Sequence, residues 1–574
     1  MSDKLQSGSP RLRESIARLE RYRQGKRRLD ARLYDEAMWW QSRHETAPAE
    51  GDSRRSGKPV SAWLFNSICN KHADLCDRMP VCTALPREPG DRADAALLSA
   101  VLPVVAARCR LKKTYSDNAW IKLRHGTAVY GVFWNPALEN GIGDIDIRRV
   151  DILNLFWEPG VTDIQDSPHL YLVGLEDRAA LESRYPVLAE AVRQGRLDPD
   201  STPADGASLL GSGGSYLLRE RDGCPEKYTV VDWYYRKALP DGRTVLHYAK
   251  YVGDILLYAS ENDPACAERG WYDHGLYPFV PDVLFPEADS PAGYGLIAVG
   301  RNPQGYIDEL DGHILEYANW ASRVRYWAKR SLGINEKEFL DPDRRIIQVE
   351  GDMDEEKLRQ ITLSPMDGML SEVRQMKIEE LKETTGTRDV NQGMSGGVTA
   401  ASAITALQEA GDKSSRDCVS GSYRAYVAVM EQVVELIRQF YTGTRCFRIA
   451  GDGGWKYIRY SNRGLRDRVT GTDAAGNPLR RRPVFDIDVR AERENPLDRA
   501  GRNELMLSLF RAGMFDPDRR AAAALALSDM DFDGIDALRA AVAPAAVAAV
   551  APAAVATVAP AAVATVAPTA GDSE

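Results

Sequence analysis

Residues 399–441 contain no proline and only two interior glycines, Gly411 and Gly421. Ala400, Ala403, Ile404, Leu407 and Ala410 recur at helical spacing, and Val427, Met430, Val433, Val434 and Ile437 continue the stripe. The pattern predicts one helix opening at Thr399 and running to about Tyr441, roughly 65 Å long at about 1.5 Å per residue. A rod of that length outruns most globular cores. Most of its apolar stripe is expected to be core.

The neighbours of this rod set the fold class. Helical periodicity is expected over 9–46, 62–79 and 91–123, with Pro80 ending the second stretch, and the polar linker 47–60 follows the first. The period then changes. Short Val-, Ile- and aromatic-rich runs at 127–134, 144–150 and 153–157 predict strands, as do 227–236, 244–250 and 253–260 beyond a Gly/Ser-rich insertion at 195–225. A second long helical pattern covers 295–330 with Ile307, Leu310, Ile314, Tyr317, Ala321 and Val324 on one stripe. After a mixed segment, with a strand at 345–349 and a small helix near 355–360, helix returns over 367–385 and Gly386 stops it. Strands are expected at 445–460 and 484–490 around a Gly/Arg-rich hairpin, then a small helical unit at 497–539. Long helices and strand groups in separate blocks make an α+β chain.

Charge narrows the function. With 74 Lys+Arg against 83 Asp+Glu the 574-residue chain is net −9, which disfavours a protein whose whole purpose is gripping phosphate. The eight cysteines form no CxxC pair and no histidine stands at finger spacing, so no zinc site is expected, and scattered thiols fit a reducing compartment. The polar opening Met-Ser-Asp-Lys predicts no signal peptide. Between Arg539 and Asp572 the chain is uncharged. Its eight-residue VAPAAVAT repeat returns proline at 544, 552, 560 and 568, which predicts a mobile, polyproline-leaning tail and no membrane helix.

Catalytic patterns are missing. There is no GxxxxGK[ST], HExxH or GxSxG. The seven histidines are isolated. Asp144, Asp146 and Asp151 fail as a two-metal set because Asp144 and Asp146 alternate with Ile145 and Ile147, as on one polar face of a half-buried strand. The acidic run at 352–356 reads as a solvated turn. No cofactor and no metal are expected.

A set of local motifs, in order, resembles the portal protein of tailed bacteriophages. They are Gly126 and Gly141-Ile-Gly143-Asp-Ile-Asp-Ile; Tyr277-Pro-Phe-Val-Pro281 with Gly293-Tyr294-Gly295; a helix opening Asn302-Pro-Gln304 and continuing Ile307-Asp308-Glu309-Leu310; Ile378-Glu-Glu-Leu-Lys-Glu-Thr-Thr-Gly386; and Gly393 and Gly396 before Val398-Thr-Ala-Ala-Ser-Ala-Ile404 with Glu409. The resemblance spans roughly 60–540. It implies a portal-like fold: an α/β wing (60–294 and 443–495), an antiparallel helical stem hairpin (295–330 and 367–386), a small clip (331–366), a tunnel loop (387–398), a long tunnel helix (399–442) and a small helical crown (496–540). The N-terminal helix and linker (1–59) and the tail (541–574) lie outside the pattern.

The resemblance further implies a dodecameric ring at one capsid vertex of the virion, assembled in the host cytoplasm. It would conduct double-stranded DNA during packaging and ejection. Its partners would be the terminase large subunit, a head-tail adaptor, and capsid and scaffolding proteins, with no membrane. The alternatives are a terminase-like DNA-processing enzyme, disfavoured by the missing phosphate-binding loop, and a coiled-coil scaffold, disfavoured by the absence of sustained heptads.

Within that frame three groups of residues carry the expected work. The loop residues Asn391, Gln392, Gly393, Met394, Ser395, Gly396 and Gly397 would meet the passing duplex, glycine allowing a bend that other residues resist. Arg323, Arg325, Lys329 and Arg330 would form a basic end of the first stem helix, behind Asp308, Glu309, Asp311 and Glu316; a plain complement to the helix macrodipole explains the same pattern. Clip residues Glu336, Glu338, Asp352, Asp354, Glu355 and Glu356 belong to a segment with nine acids and five bases, net −4, an acidic docking end for a basic partner.

Overall fold

The computed structural model describes residues 4–44, 60–195, 227–322, 325–328, 358–361, 366, 368–386, 413–451, 454–472, 478–493, and 508, 510, 511 and 513. The chain divides into Met1–Glu492 and Arg493–Glu574, and in the second unit the described residues are Arg493, Ser508, Phe510, Arg511 and Gly513. All elements below belong to the first unit, the last strand ending one residue past it.

Helix α1 spans Pro10–His44 and α2 Trp63–Asp77; strand β1 is Arg78–Pro86. The expected helix at 91–123 is two, α3 (Arg92–Arg108) and α4 (Leu111–His125), because Arg110 between them adopts a left-handed φ of 53°. Strands β2 (Thr127–Asn135) and β3 (Asp144–Val150) follow. The expected strand at 153–157 shrinks to β4 (Leu155–Phe156). Asp151 accepts from Leu153 N at 2.9 Å and winds Ile152–Asn154 into a 3₁₀ turn. Then come β5 (His169–Asp177), α5 (Arg178–Arg184), α6 (Pro186–Arg193), β6 (Lys227–Ala238), β7 (Thr244–Val252), β8 (Ile255–Ala259), β9 (Phe279–Val283), β10 (Phe285–Pro286) and β11 (Gly293–Tyr294). The strands β4-β5-β6-β7-β8 form one antiparallel sheet, and β3-β2-β9 another.

Helix α7 runs Leu296–Ser322, so Asn302-Pro-Gln304 lies inside it and does not open it. It also stops short of the expected Arg330. Residues Arg325–Ala328 are strand β12, paired antiparallel with β13 (Leu358–Ile361), where a small helix was expected. Tyr326 and Trp327 favour a strand, and a partner strand is present to take their backbone bonds. Helix α8 is Met369–Thr385, closed by Gly386 at φ 68°. Helix α9 is described over Lys413–Phe440. The last strands are β14 (Arg445–Gly451), β15 (Gly454–Tyr460), β16 (Arg468–Thr472), β17 (Pro478–Arg481) and β18 (Phe485–Arg493). Strand β18 pairs with β1, so the chain returns to its own beginning. The prolines at 80 and 86 hid β1 from a propensity reading.

Helices α7 and α8 lie antiparallel. Gly300 faces Leu381, Tyr306 lies under the Lys377 ammonium, and Asp311 pairs with Arg374, so one number rises as its partner falls. The β12–β13 ladder, from Arg325↔Ile361 to Ala328↔Leu358, continues in the same sense.

Four apolar cores hold the described residues together, one of them packing Leu181, Leu188 and Ala191 of α5 and α6 on Tyr228, Val230, Val252 and Ile255 of the five-stranded sheet. The largest packs β2, β3 and β9 on α3, α4 and α9, burying Met430, Val433, Val434 and Ile437 of the long helix. In the second, Leu5, Leu12, Leu19 and Tyr22 at the N-terminal end of the chain lie on Tyr171, Trp233, Tyr235 and Tyr251 of the five-stranded sheet. Ser15 Oγ donates to the Tyr171 hydroxyl at 3.3 Å, and Arg11 pairs with the buried Glu261 at 3.0 Å. Helix α1 is thus a packed strap, although its sequence is dominated by charge. The third core surrounds α2.

Candidate functional site at the base of the helical hairpin

Helix α2 is the hub on which the motif-bearing segments converge. Leu64, Ile68 and Leu75 on one side of it share a core with Trp40 of α1, Ala119 and Leu123 of α4, Leu296, Ile297 and Ile307 of α7, Ile378 and Leu381 of α8, and Cys418 and Val419 of α9. Each Leu, Ile or Val side chain of this set, once buried, contributes about 1.5–3 kcal/mol of transfer free energy.

Polar contacts fix the geometry. The free N–H groups at the start of α2 are served from α7: Gln304 Oε1 accepts from Leu64 N at 3.0 Å, and Asp308 Oδ1 accepts from Ser61 N at 3.1 Å and Ser61 Oγ at 2.9 Å. Further along α2, the hydroxyls of Ser67 and Thr385 share a hydrogen bond of 3.2 Å. Lys71 Nζ donates to Ser415 Oγ at 2.8 Å, and Ser415 donates in turn to Asp74 Oδ2 at 2.6 Å. Ser67, Lys71 and Asp74 are spaced i, i+4, i+7 and share one helix face. That face therefore holds both described ends of the 387–412 segment, Thr385 before it and Ser415 after it.

Behind the clamp is a buried ion pair. Lys122 Nζ donates to Asp282 Oδ1 at 2.6 Å, to the Cys418 carbonyl at 3.2 Å and to Ser422 Oγ at 2.8 Å, and Ser422 donates to Asp282 Oδ2 at 2.9 Å. All three ammonium protons are used. Helix α4, strand β9 and helix α9 are joined through one side chain that is fully buried. Burial pushes the neighbouring Cys418 thiol up to about 11, with the Lys122 charge only partly opposing it, so this thiol stays protonated and unreactive.

The glycines of the motif set have a direct reason here. Gly126 caps α4 at φ 87°. A Cβ on Gly126 would overlap the Tyr294 carbonyl group, and a Cβ on Gly295 would overlap Arg124 O and Gly126 N. Two backbones cross in contact where α4 ends and α7 begins, and only glycine fits at either position.

Of the expected site residues, Arg325 is placed only as the first residue of β12, beyond the end of α7. Arg323, Lys329 and Arg330 lie outside the described residues. So do the loop set Asn391, Gln392, Gly393, Met394, Ser395, Gly396 and Gly397, and the clip set Glu336, Glu338, Asp352, Asp354, Glu355 and Glu356. Of the acids in the first half of α7, Asp308 and Asp311 are used within the chain, while Glu309 and Glu316 are exposed. Asp144 is buried rather than on a solvated face. It accepts from the Tyr441 hydroxyl at 2.5 Å and stands 3.8 Å from both Arg108 and Arg445. Among the described residues no group of three or more His, Cys, Asp or Glu side chains could hold a metal ion, and no helix is long and apolar enough to cross a membrane. The hub itself was not anticipated. The spacing of Ser67, Lys71 and Asp74 was visible, but its partners lie more than 300 residues away.

Residues 324–570 match the family model described as Phage P22-like portal protein. The match starts just past the end of α7 and takes in α8, α9 and β12 to β18. Over 324–540 it bears out the resemblance to tailed-phage portal proteins read from the motifs, and it runs on through 570, into the tail that the motifs leave outside the pattern. No curated protein matches the chain.

Proposed function

Starting from a chain whose residues 324–570 fall in the P22-like portal family, we propose that it is the subunit of a ring at one capsid vertex, a structural conduit through which double-stranded DNA enters and leaves the head. The observation that carries this reading is the double anchorage of 387–412. A segment meant to touch a moving duplex needs freedom in its middle and rigid ends. The Ser67–Thr385 and Lys71–Ser415–Asp74 contacts supply the rigid ends, and the sequence between them places glycine, the residue type with the least restricted backbone, at 393, 396 and 397.

The hairpin supports a ring. Leu315, Trp320, Met369 and Met376 are 47–66% exposed on α7 and α8, more apolar surface than a solitary hairpin would show to water. Neighbouring copies around an axis would cover it, each interface being heterologous as ring closure requires. In this reading 331–366 is the clip that docks the terminase and later the head-tail adaptor. The bases at 323–330 stand between hairpin and clip, and capsid and scaffolding proteins surround the wing.

Deletion of 392–397 tests the reading. Negative-stain images should still show rings, and DNA packaging in an assembly reaction should stop. Normal packaging by the deletion variant, or a strictly monomeric wild-type chain in the presence of its shell proteins, would end it.

A further inference from the structure

His169, the first residue of β5, sits between two groups that can only donate. The Arg18 guanidinium of α1 stands 2.6 Å from Nε2, and the Trp233 indole N–H meets Nδ1 at 3.2 Å. A neutral imidazole carries one proton, so it can accept at only one of its two nitrogens. A charged imidazole would present two N–H groups to two donors. The ring therefore has to stay neutral for Arg18 to remain where it is.

Little around the ring could offset a second proton. It lies 5.8 Å from the Trp233 ring and 6.4 Å from the Tyr235 ring, at 30° to each. The register sets His169 opposite Tyr235 and Tyr235 opposite His247, so the three share the face that α1 covers. The titratable and charged groups on that side are Arg11, Glu14 and Arg18 of α1, Tyr171 of β5, Tyr235 and Lys237 of β6, His247 of β7, and Glu261 just after β8. Both carboxylates are already engaged, Glu14 by Arg18 and Glu261 by Arg11, Lys237 and Tyr235. Burial, together with the Arg18 and Arg11 charges, pushes His169 down to about 4. His247 is fully buried, its Nε2 has no partner among the described residues, and burial pushes it down as well.

We propose that the N-terminal half of α1 is a proton-released strap. A proton taken up by His169 drives Arg18 off the ring, and residues 5–22 lift from the five-stranded sheet, uncovering the aromatic face of Tyr171, Trp233, Tyr235 and Tyr251. The other half of the helix stays in place: His125 there faces the Glu36 carboxylate at 3.1 Å instead of a cation, and Trp40 is packed into the core around α2. The device follows from the packing of α1 and is independent of the portal reading.

The sign follows from linkage. A histidine held low while covered binds its proton more readily once uncovered, so the strap is fully fastened above about pH 6.5 and loosens as pH falls towards 4. At pH 5 an uncovered ring is almost wholly charged and a covered one mostly neutral, which favours the open state about 20-fold more than at pH 7. Glu261, held at about 2, acts in a lower window.

The test is hydrogen exchange of the purified full-length chain at pH 7 and pH 5, read as protection factors corrected for the intrinsic rate. Protection over residues 11–22 should fall about 20-fold at pH 5, while α4 and α9 keep theirs. His169→Gln takes up no proton in this range and should lose most of the fall. Should that variant be unprotected at both pH values, Arg18→Met gives the second reading: without the donor at Nε2 the ring charges in place, and the fall should shrink to a few-fold. Equal wild-type protection at the two pH values, a fall shared by α4 and α9, or an undiminished fall in His169→Gln or in Arg18→Met would overturn the proposal.

Discussion

Replacing Lys122 by Met is the sharpest probe of the hub. The side chains of Lys122 and Asp282 are 0% and 1% exposed, and their Nζ–Oδ1 distance is 2.6 Å. Met approximates the lysine stem in volume, so little cavity is created. What is lost is the charge and three hydrogen bonds, and the Asp282 carboxylate is left in the interior with only the Ser422 hydroxyl. Removing one partner of a buried pair costs about 3–5 kcal/mol, a large share of the 5–15 kcal/mol typical of a folded domain. Lys122→Met/Asp282→Leu replaces the pair with apolar groups and should recover most of that loss. The assay is urea unfolding of the full-length chain followed by tryptophan fluorescence, with the four members of the double-mutant cycle measured under one condition. A Lys122→Met cost below about 1 kcal/mol, or a double variant no better than the single, would show that water reaches the pair and that α4, β9 and α9 are not joined through it.

Thr385→Val/Ser415→Ala removes both clamps on α2. It should cost about 1–3 kcal/mol in the same unfolding assay and lower packaging while rings still form; unchanged packaging would separate the clamp from the loop's function. Gly126→Ala and Gly295→Ala each force two backbones apart and should reduce the yield of soluble chain or lower its thermal midpoint by several degrees, whereas Gly305→Ala, which meets nothing within 4 Å, should be neutral or slightly stabilising. Burial alone would push the Glu261 carboxyl up, but hydrogen bonds from Arg11, Lys237 and Tyr235 outweigh it and hold it down at about 2. Because the folded value lies below the unfolded one, this contribution is complete above about pH 4.5 and is lost as pH falls towards 2, a difference of up to roughly 3 kcal/mol. Glu261→Gln should flatten the acid limb of a thermal-midpoint profile, and an unaltered limb would remove Glu261 as the tie between α1 and the sheet.

The elements with strong periodicity were legible from sequence. The stripe Met430, Val433, Val434, Ile437 is core, and α8 ends at Gly386 as its left-handed cap requires. What failed was decided by distant partners. Residues 325–328 sit at the end of a helical pattern but find a strand at 358–361; β1 is broken by prolines yet pairs with β18. The site divided in the same way. Gly126, Gly295, Gln304, Asp308 and Gly386 were noticed as motif members, and their purpose (crossing backbones, a borrowed helix cap, a helix stop) appeared only once α2 stood between them. Lys122 gave no signal, since a lysine on a helix is ordinarily solvated and its counter-charge lies 160 residues away.

The passage from α7 and α8 into the β12–β13 ladder has a mechanical consequence. A helix advances about 1.5 Å per residue and a strand about 3.3 Å, so the four ladder pairs reach about as far as nine helical residues. Paired helices with interlocked side chains resist bending through their packed faces. The hairpin is therefore stiff where it is rooted on α2, and beyond Ser322 the described chain gains more length per residue than the helices do.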